Sequence, residues 1–211
     1  MIVDVYHDIV CPWCRIGKAN LDRALAGWEG EPVEVRWRPF LLNPEAPTAG
    51  GDLATYFRET KGVADPAPIF RRVEAAEASA RLHFDFARAR VGPTQDAHRL
   101  LLLVAPERRA TVLDALHGVY FEEGGVLADH ALLTDAAAEA GEDRATILAR
   151  LASDEGEAEL VEALRASQAT VRGGVPFFVF DETYALSGAQ PPETLRAAMR
   201  ETVAARAGVG A

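Results

Sequence analysis

Cysteine is scarce in this chain: 211 residues hold two, and both fall in one short stretch, Cys11-Pro12-Trp13-Cys14. That excludes a disulfide framework stapling a small, loop-rich fold. A chain of this length can bury a full core and needs neither cross-links nor metal to fold. Positive charge is also in short supply, with 22 Lys and Arg against 32 Asp and Glu and a net charge of -10. Sequence-independent nucleic-acid binding and attraction to anionic membranes both need clustered cations, so neither is expected. No apolar run approaches the roughly 18 residues that a membrane helix requires. The chain enters the strand-like Ile2-Val3-Asp4-Val5-Tyr6 without the basic and long apolar regions of a secretory signal, which predicts a cytoplasmic protein. Metal-ligand spacing is lacking as well. The histidines His7, His83, His98, His117 and His130 show no paired spacing that would complete a zinc site with the two cysteines, so no metal is expected.

What the chain does have is ordinary globular composition, 49% apolar and 26% charged. Its distinctive feature is a C-x-x-C pair between a strand-like run and the helix-like Arg15-Ile16-Gly17-Lys18-Ala19-Asn20-Leu21. Such a lone pair in a reducing compartment reads as catalytic, redox-sensing or metal-binding rather than structural. A helix N-terminus presents unpaired N–H groups and the positive end of the helix dipole, which stabilise a thiolate. Cys11 is therefore read as the attacking thiolate and Cys14, one turn on, as its resolving partner. Lys18, a turn beyond Cys14, is read as a solvated helix residue, and Trp13 as part of a docking surface.

Farther along, Val33-Glu34-Val35-Arg36-Trp37-Arg38 alternates apolar and charged residues, predicting a strand with one buried face. The first fifty residues thus read βαβ. A connector rich in Pro and Gly follows, and from about Asp52 to Val171 the apolar period is helical, giving five to seven helices. Leu82 to Phe86 interrupts them as an extended link. Thr94, Asp129 or His130, Asp143 and Ser153 are expected as helix caps, and Pro106 as a helix start. Strand-like runs then return at Val175 to Phe180 and Thr183 to Leu186, joined by Asp181-Glu182, where Glu182 stands at a position that usually favours Gly. Pro191-Pro192 opens a last helix with Leu195, Met199 and Val203 on one face. The expected architecture is α/β: a sheet domain from residues 1–50 and 172–211, with 51–171 as an all-helical insertion.

Five segments carry a family resemblance: Asp8-Ile9-Val10-Cys11-Pro12-Trp13-Cys14-Arg15-Ile16-Gly17-Lys18, Arg38 to Pro44, Asp96-Ala97-His98-Arg99-Leu100, Gly174 to Phe180, and Ser187-Gly188-Ala189-Gln190-Pro191-Pro192-Glu193. In this order they resemble the DsbA-like branch of the thioredoxin superfamily, and within it the FrnE-type oxidoreductases, which are related to kappa-class glutathione transferases and 2-hydroxychromene-2-carboxylate isomerases. The resemblance implies a thioredoxin fold with a large helical insertion and thiol-disulfide exchange through a mixed disulfide. It also implies a cis Val175-Pro176 peptide beside the cysteines, which an X-Pro bond permits without requiring, a simple strand-start proline being the other reading of Pro176. Catalytic roles would fall to Cys11, Cys14 and Pro176, and substrate contacts to Pro12, Trp13, Val175, Ser187 and Gly188.

The expected partners are thiol or disulfide substrates, proteins or glutathione, acting on a monomer or homodimer. Glutathione would be a co-substrate, and no cofactor is expected. Two rivals stand beside this reading, a glutathione-dependent isomerase or transferase on the same fold and a non-catalytic, redox-controlled binding module or holdase. The chain departs from the resemblance at Val5, where thioredoxin and DsbA carry a buried carboxylate, leaving proton transfer to Asp8, His7 or water.

Overall fold

The computed structural model describes residues 1–48 and 50–209, with the side chains of 77–79 and 209 outside the description. The chain divides into two compact units, one of residues 1–40 with 164–211 and one of residues 41–163.

The first unit is built on strands β1 (Ile2–His7) and β2 (Glu34–Pro39), the helix α1 (Pro12–Ala26) between them, and a later hairpin of two further strands, Phe177–Phe180 and Tyr184–Ser187. Strand β1 lies parallel to β2, with Val3 beside Val35 and Val5 beside Trp37. On its other side it runs antiparallel to the first strand of the hairpin, with Val3 opposite Phe180 and Val5 opposite Phe178. Val3, Val5, Phe178 and Phe180 thus share one face, because side chains two apart on a strand point the same way. Leu21 and Ala24 of α1, and Leu195, Ala198 and Met199 of the C-terminal helix Pro192–Val209, close the same core, every one of these residues at most 2% exposed. Position 203, expected on that helix's buried face, is only half-buried, and Thr202 takes the buried place.

Strand β2 turns its apolar residues Val35 and Trp37 to the same core, as the alternation predicts, but buries them only partly. Its residues between exposed Glu34 and buried Pro39 are all half-buried, as befits the edge of the sheet order β2, β1, Phe177–Phe180, Tyr184–Ser187. Asp181 and Glu182 both adopt positive φ, 43° and 58°. These left-handed angles turn the chain within a loop of three residues, 181–183, one more than expected, because Phe180 pairs with Tyr184. The Asp181 side chain helps hold them, since Oδ1 accepts from Ile2 N–H at 2.6 Å and Oδ2 faces Arg206 at 3.2 Å.

The second unit contains, among the described residues, a short antiparallel pair β3 (Gly51–Asp52) and β4 (Arg90–Val91). Its helices are α2 (Leu53–Glu59), α3 (Ala67–Ala80), α4 (Gln95–Leu103), α5 (Arg109–Gly118), α6 (His130–Glu139) and α7 (Arg144–Leu151). Helix α8 (Glu157–Thr170) begins in this unit and ends in the first, after which the hairpin strands are β5 and β6 and the C-terminal helix is α9. Several sequence signals act as expected: Asp129 and Asp143 accept from Ala131 N–H and Thr146 N–H, and residues 82–85 are non-helical. Others do not. Thr94 stands at the N-cap of α4 but makes no side-chain cap bond there and is itself buried. Pro106 opens a 3₁₀ turn, Pro106–Arg108, before α5 rather than the helix itself. Ser153 donates to Arg150 C=O at the end of α7 instead of capping α8.

Helix α1 approaches β5 closely at Gly17. A Cβ there would lie 3.0 Å from Pro176 Cγ and 3.3 Å from Phe178 Cζ. Gly17→Val should cost about 1–3 kcal/mol by overpacking, read as a lowered midpoint in denaturant unfolding; an unchanged midpoint would show that the helix and strand separate freely at this point.

Candidate active site

The site begins with backbone geometry. Cys11 occupies the N-cap of α1 in an extended conformation, φ -86° and ψ 112°, and Pro12 fills the first helical position, where a missing N–H costs nothing. The Cys11 N–H donates to Asp8 C=O at 3.0 Å, while the Cys11 C=O accepts from Cys14 N–H at 3.0 Å and Arg15 N–H at 3.2 Å. Cys11 makes no side-chain cap bond, so the sulfur sits at the positive end of the helix without being consumed as a cap.

Both cysteines are free thiols and both are buried, each 4% exposed. Cys11 Sγ lies 3.8 Å from the Val175 carbonyl oxygen, and the Val175-Pro176 peptide that follows is cis. The two sulfurs interact directly. Burial pushes the Cys14 thiol well above its ordinary pKa, and its hydrogen bond to the Cys11 sulfur and the negative charges on Cys11 and Asp8 push the same way. The Asp8 backbone N–H, which hydrogen bonds to Cys14, opposes them without prevailing. Cys14 is thus built to hold its proton, next to a carboxylate with 0% exposure.

The remaining predicted residues fall around this pair in different ways. Pro12 and Trp13 are half-buried in the first turn of α1. Gly188, at φ 83°, donates its N–H to Pro176 C=O at 2.8 Å, and Ser187 pairs with Phe177 in the ladder while its own side remains exposed. Gln190 Nε2 donates to Ser187 C=O at 2.7 Å, and Asn20 Nδ2 of α1 donates to Gln190 C=O at 2.9 Å. The segment 187–190 is therefore tied both to Pro176 and to α1.

Asn20 and Gly17 are residues that sequence reasoning missed in these roles. Lys18 is a correction. It is 3% exposed rather than solvated, with Nζ 2.9 Å from Asp22 Oδ2 and 5.8 Å from the centre of the Trp37 ring. The signal was present in the spacing, because positions 14, 18 and 21 recur on one helical stripe and Cys14 and Leu21 are both core. Among the described residues no group of three His, Cys, Asp or Glu side chains is placed to hold a metal, and no helix is long and apolar enough to cross a membrane.

Comparison with known proteins agrees with the fold. The family model for the DSBA-like thioredoxin domain matches residues 2–200. The chain superimposes on a probable DsbA oxidoreductase from Streptomyces coelicolor with a TM-score of 0.88 and 31% identity, covering 97% of this chain and 90% of that one. A 2-hydroxychromene-2-carboxylate isomerase shares the fold at a TM-score of 0.71 and 15% identity, with 99% of each chain covered. So does the cytosolic disulfide reductase DsbM from Pseudomonas aeruginosa, solved with glutathione, at 0.63 and 17%, covering 96% of this chain and 99% of that one. A Bacillus subtilis protein, YwbO, is 48% identical over 42 residues, a match spanning 20% of each chain.

The raised Cys14 thiol has a consequence for stability. An unfolded chain releases that proton near pH 8.5, whereas the folded protein keeps it, so stability is full below that pH and falls as pH rises toward the folded value. Thermal unfolding of the reduced protein should show a steeper alkaline decline than Cys14→Ala, and Asp8→Asn should lessen it. Parallel curves for all three would contradict the burial of the thiol.

Proposed function

The chain belongs to the DSBA-like thioredoxin domain family, and on that premise we propose that it is a thiol-disulfide oxidoreductase in which Cys11 is the nucleophile and Cys14 the resolving thiol. The observation that carries this reading is the pairing at the start of α1: an uncapped Cys11 sulfur beside the Val175 carbonyl, hydrogen bonded to a Cys14 thiol that burial keeps protonated.

The exchange runs in two displacements. The Cys11 thiolate attacks one sulfur of a substrate disulfide, the substrate S–S bond breaks, and the departing sulfur leaves as a thiolate that takes up a proton. Cys14 then loses its proton, attacks the Cys11 sulfur of the mixed disulfide and expels the second substrate thiolate. The protein ends as the Cys11–Cys14 disulfide, having given two electrons to the substrate. The reverse sequence oxidises a substrate dithiol through the same mixed disulfide, and the relative potentials of the two pairs set the direction.

The proton on Cys14 is the obstacle in the second displacement. In our reading Asp8, whose buried carboxylate acts on that thiol, accepts it, filling the place that Val5 leaves without a carboxylate. Val175 offers backbone groups to an extended substrate segment, as an exposed strand edge does. Pro12 and Trp13 supply an apolar contact on the other side of Cys11.

Glutathione is the low-molecular-weight substrate that the comparisons favour, through the relative solved with it. The segment Ser187-Gly188, which ends β6 ahead of α9 and is bonded to Pro176, is where its carboxylate end would rest. The same relative supports placing the reaction in the cytoplasm. A glutathione-dependent isomerase has the shared fold in its favour, but that reading leaves the second thiol, held against the first, without a role.

Cys11→Ser should lower reduction of insulin disulfides, or oxidation of a dithiol peptide, by at least about a hundredfold, since the covalent step is lost. Cys14→Ala should instead accumulate a mixed disulfide on Cys11, visible by mass under non-reducing conditions. Activity that survives Cys11→Ser would remove the nucleophile from this account, and turnover of an aromatic isomer with glutathione that Cys14→Ala leaves intact would favour the isomerase.

A further inference from the structure

The unit of residues 41–163 contains a cavity of about 660 Å³ that the thiol chemistry does not use. Its size lies within the range of roughly 300–1,000 Å³ of pockets that enclose small molecules. Its apolar wall is a stack of three phenylalanines. Phe70 of α3 stacks on Phe86 at 4.7 Å between ring centres with 11° between planes, and Phe84 stacks on Phe86 at 5.7 Å and 8°. Phe84 and Phe86 are 3% and 7% exposed, but Phe70, at the end of the stack, is only half-buried.

This wall is held in place from behind. Residues Val119–Glu123 form a π-helical turn, an irregularity that often accompanies a functional site. Its Phe121 ring meets Phe84 edge-on at 4.9 Å, and its Phe121 C=O accepts from Asp85 N–H at 2.7 Å. Gly124 ends the turn at φ 76°, where a Cβ would come 2.4 Å from Arg88 C=O. Only glycine lets the π-helical turn and the Phe84–Arg88 segment approach this closely.

The polar lining is mostly of one sign. Asp52, Asp65, Glu74 and Asp85 line the cavity against a single guanidinium, Arg58, and the imidazole of His83. Arg58 Nη2 is already engaged with Thr55 Oγ1 at 3.0 Å. Asp52, Asp65 and Asp85 each accept backbone N–H bonds through Oδ1, from Thr55, Ala67 and Ala87 in turn. These bonds orient the carboxylates, and each carboxylate keeps further acceptor capacity. The carboxylates do not converge as a metal ion would require, since no metal-holding group of three occurs among the described residues. Acidic groups spread around an aromatic stack suit a flat cation whose charge is spread over its rings.

We propose that this cavity, whose lining includes neither cysteine, is a binding site for a planar aromatic organic cation that extends the Phe84–Phe86–Phe70 stack with its charge toward the surrounding carboxylates. The reading does not rest on the thiol chemistry.

Berberine, a flat quaternary aromatic cation whose fluorescence rises in apolar surroundings, is a suitable probe for the full chain, with the anionic aromatic dye 1-anilinonaphthalene-8-sulfonate as competitor. Berberine should bind saturably at one site, and the anionic dye should not displace it. Phe70→Leu, which keeps apolar bulk but removes the ring, should weaken binding about fivefold. Glu74→Gln, a surface change that leaves the wall intact, should weaken it roughly threefold. No saturation up to about 1 mM, displacement by the anionic dye, or a Kd unmoved by either substitution would overturn the proposal.

Discussion

The approach of α1 to the strand that follows Pro176 is the contact on which the site depends. Residue 11 and residue 175 are 164 positions apart in the chain, yet the Cys11 sulfur lies beside the Val175 carbonyl. Three features bring them there. Gly17 removes the side chain that would hold the helix away from Pro176 and Phe178. Asn20 bonds the next turn of the helix to Gln190. Below both, Leu21 and Ala24 share one core with Val3, Val5, Phe178 and Phe180. The geometry of the candidate site is thus a by-product of close packing, and a methyl group in the wrong place would disturb the cysteine pair several residues away.

Their neighbours then differentiate two chemically identical side chains. Cys11 and Cys14 are equally shielded from solvent, but their partners differ. Cys11 stands at the helix N-terminus, where the dipole favours an anion. Cys14, one turn inside, faces the Cys11 sulfur and the Asp8 carboxylate, and both oppose its ionisation. In a medium of low polarity such nearby charges act more strongly than they would in water. The proposed division of labour between an attacking Cys11 and a resolving Cys14 draws on this difference in surroundings. Lys18, buried one turn on, directs its charge to Asp22 and the Trp37 ring.

Much of this was legible in the sequence because the informative signals were local. The strand before the cysteines, the caps Asp129 and Asp143 and the start of α9 at Pro192 each depend on residues within a few positions of one another. The five family segments supplied the long-range pairing that local signals lack. Side-chain environment was harder to read. Lys18 looked solvated because lysine usually is, and only its place on the stripe of Cys14 and Leu21 argued otherwise. Gly17 carried no signal beyond being glycine inside a helix, since the atom it makes room for belongs to residue 176. Thr94 sits where a cap belongs, but tertiary burial takes its side chain elsewhere.

The central claim is that Cys11 and Cys14 form one reversible redox pair, and equilibration with glutathione buffers tests it most directly. After acid quenching, mass spectrometry of the whole protein and of its peptides reports which cysteines are joined at each ratio. Pro12-Trp13 places no cation between the thiols, and a protonated Cys14 does not favour the reduced form as a stabilised thiolate would. The predicted result is a single two-electron transition between two thiols and a Cys11–Cys14 disulfide, with a midpoint more reducing than the roughly -120 mV of DsbA. Failure to form that disulfide at any ratio, with each cysteine acquiring glutathione independently, would contradict it.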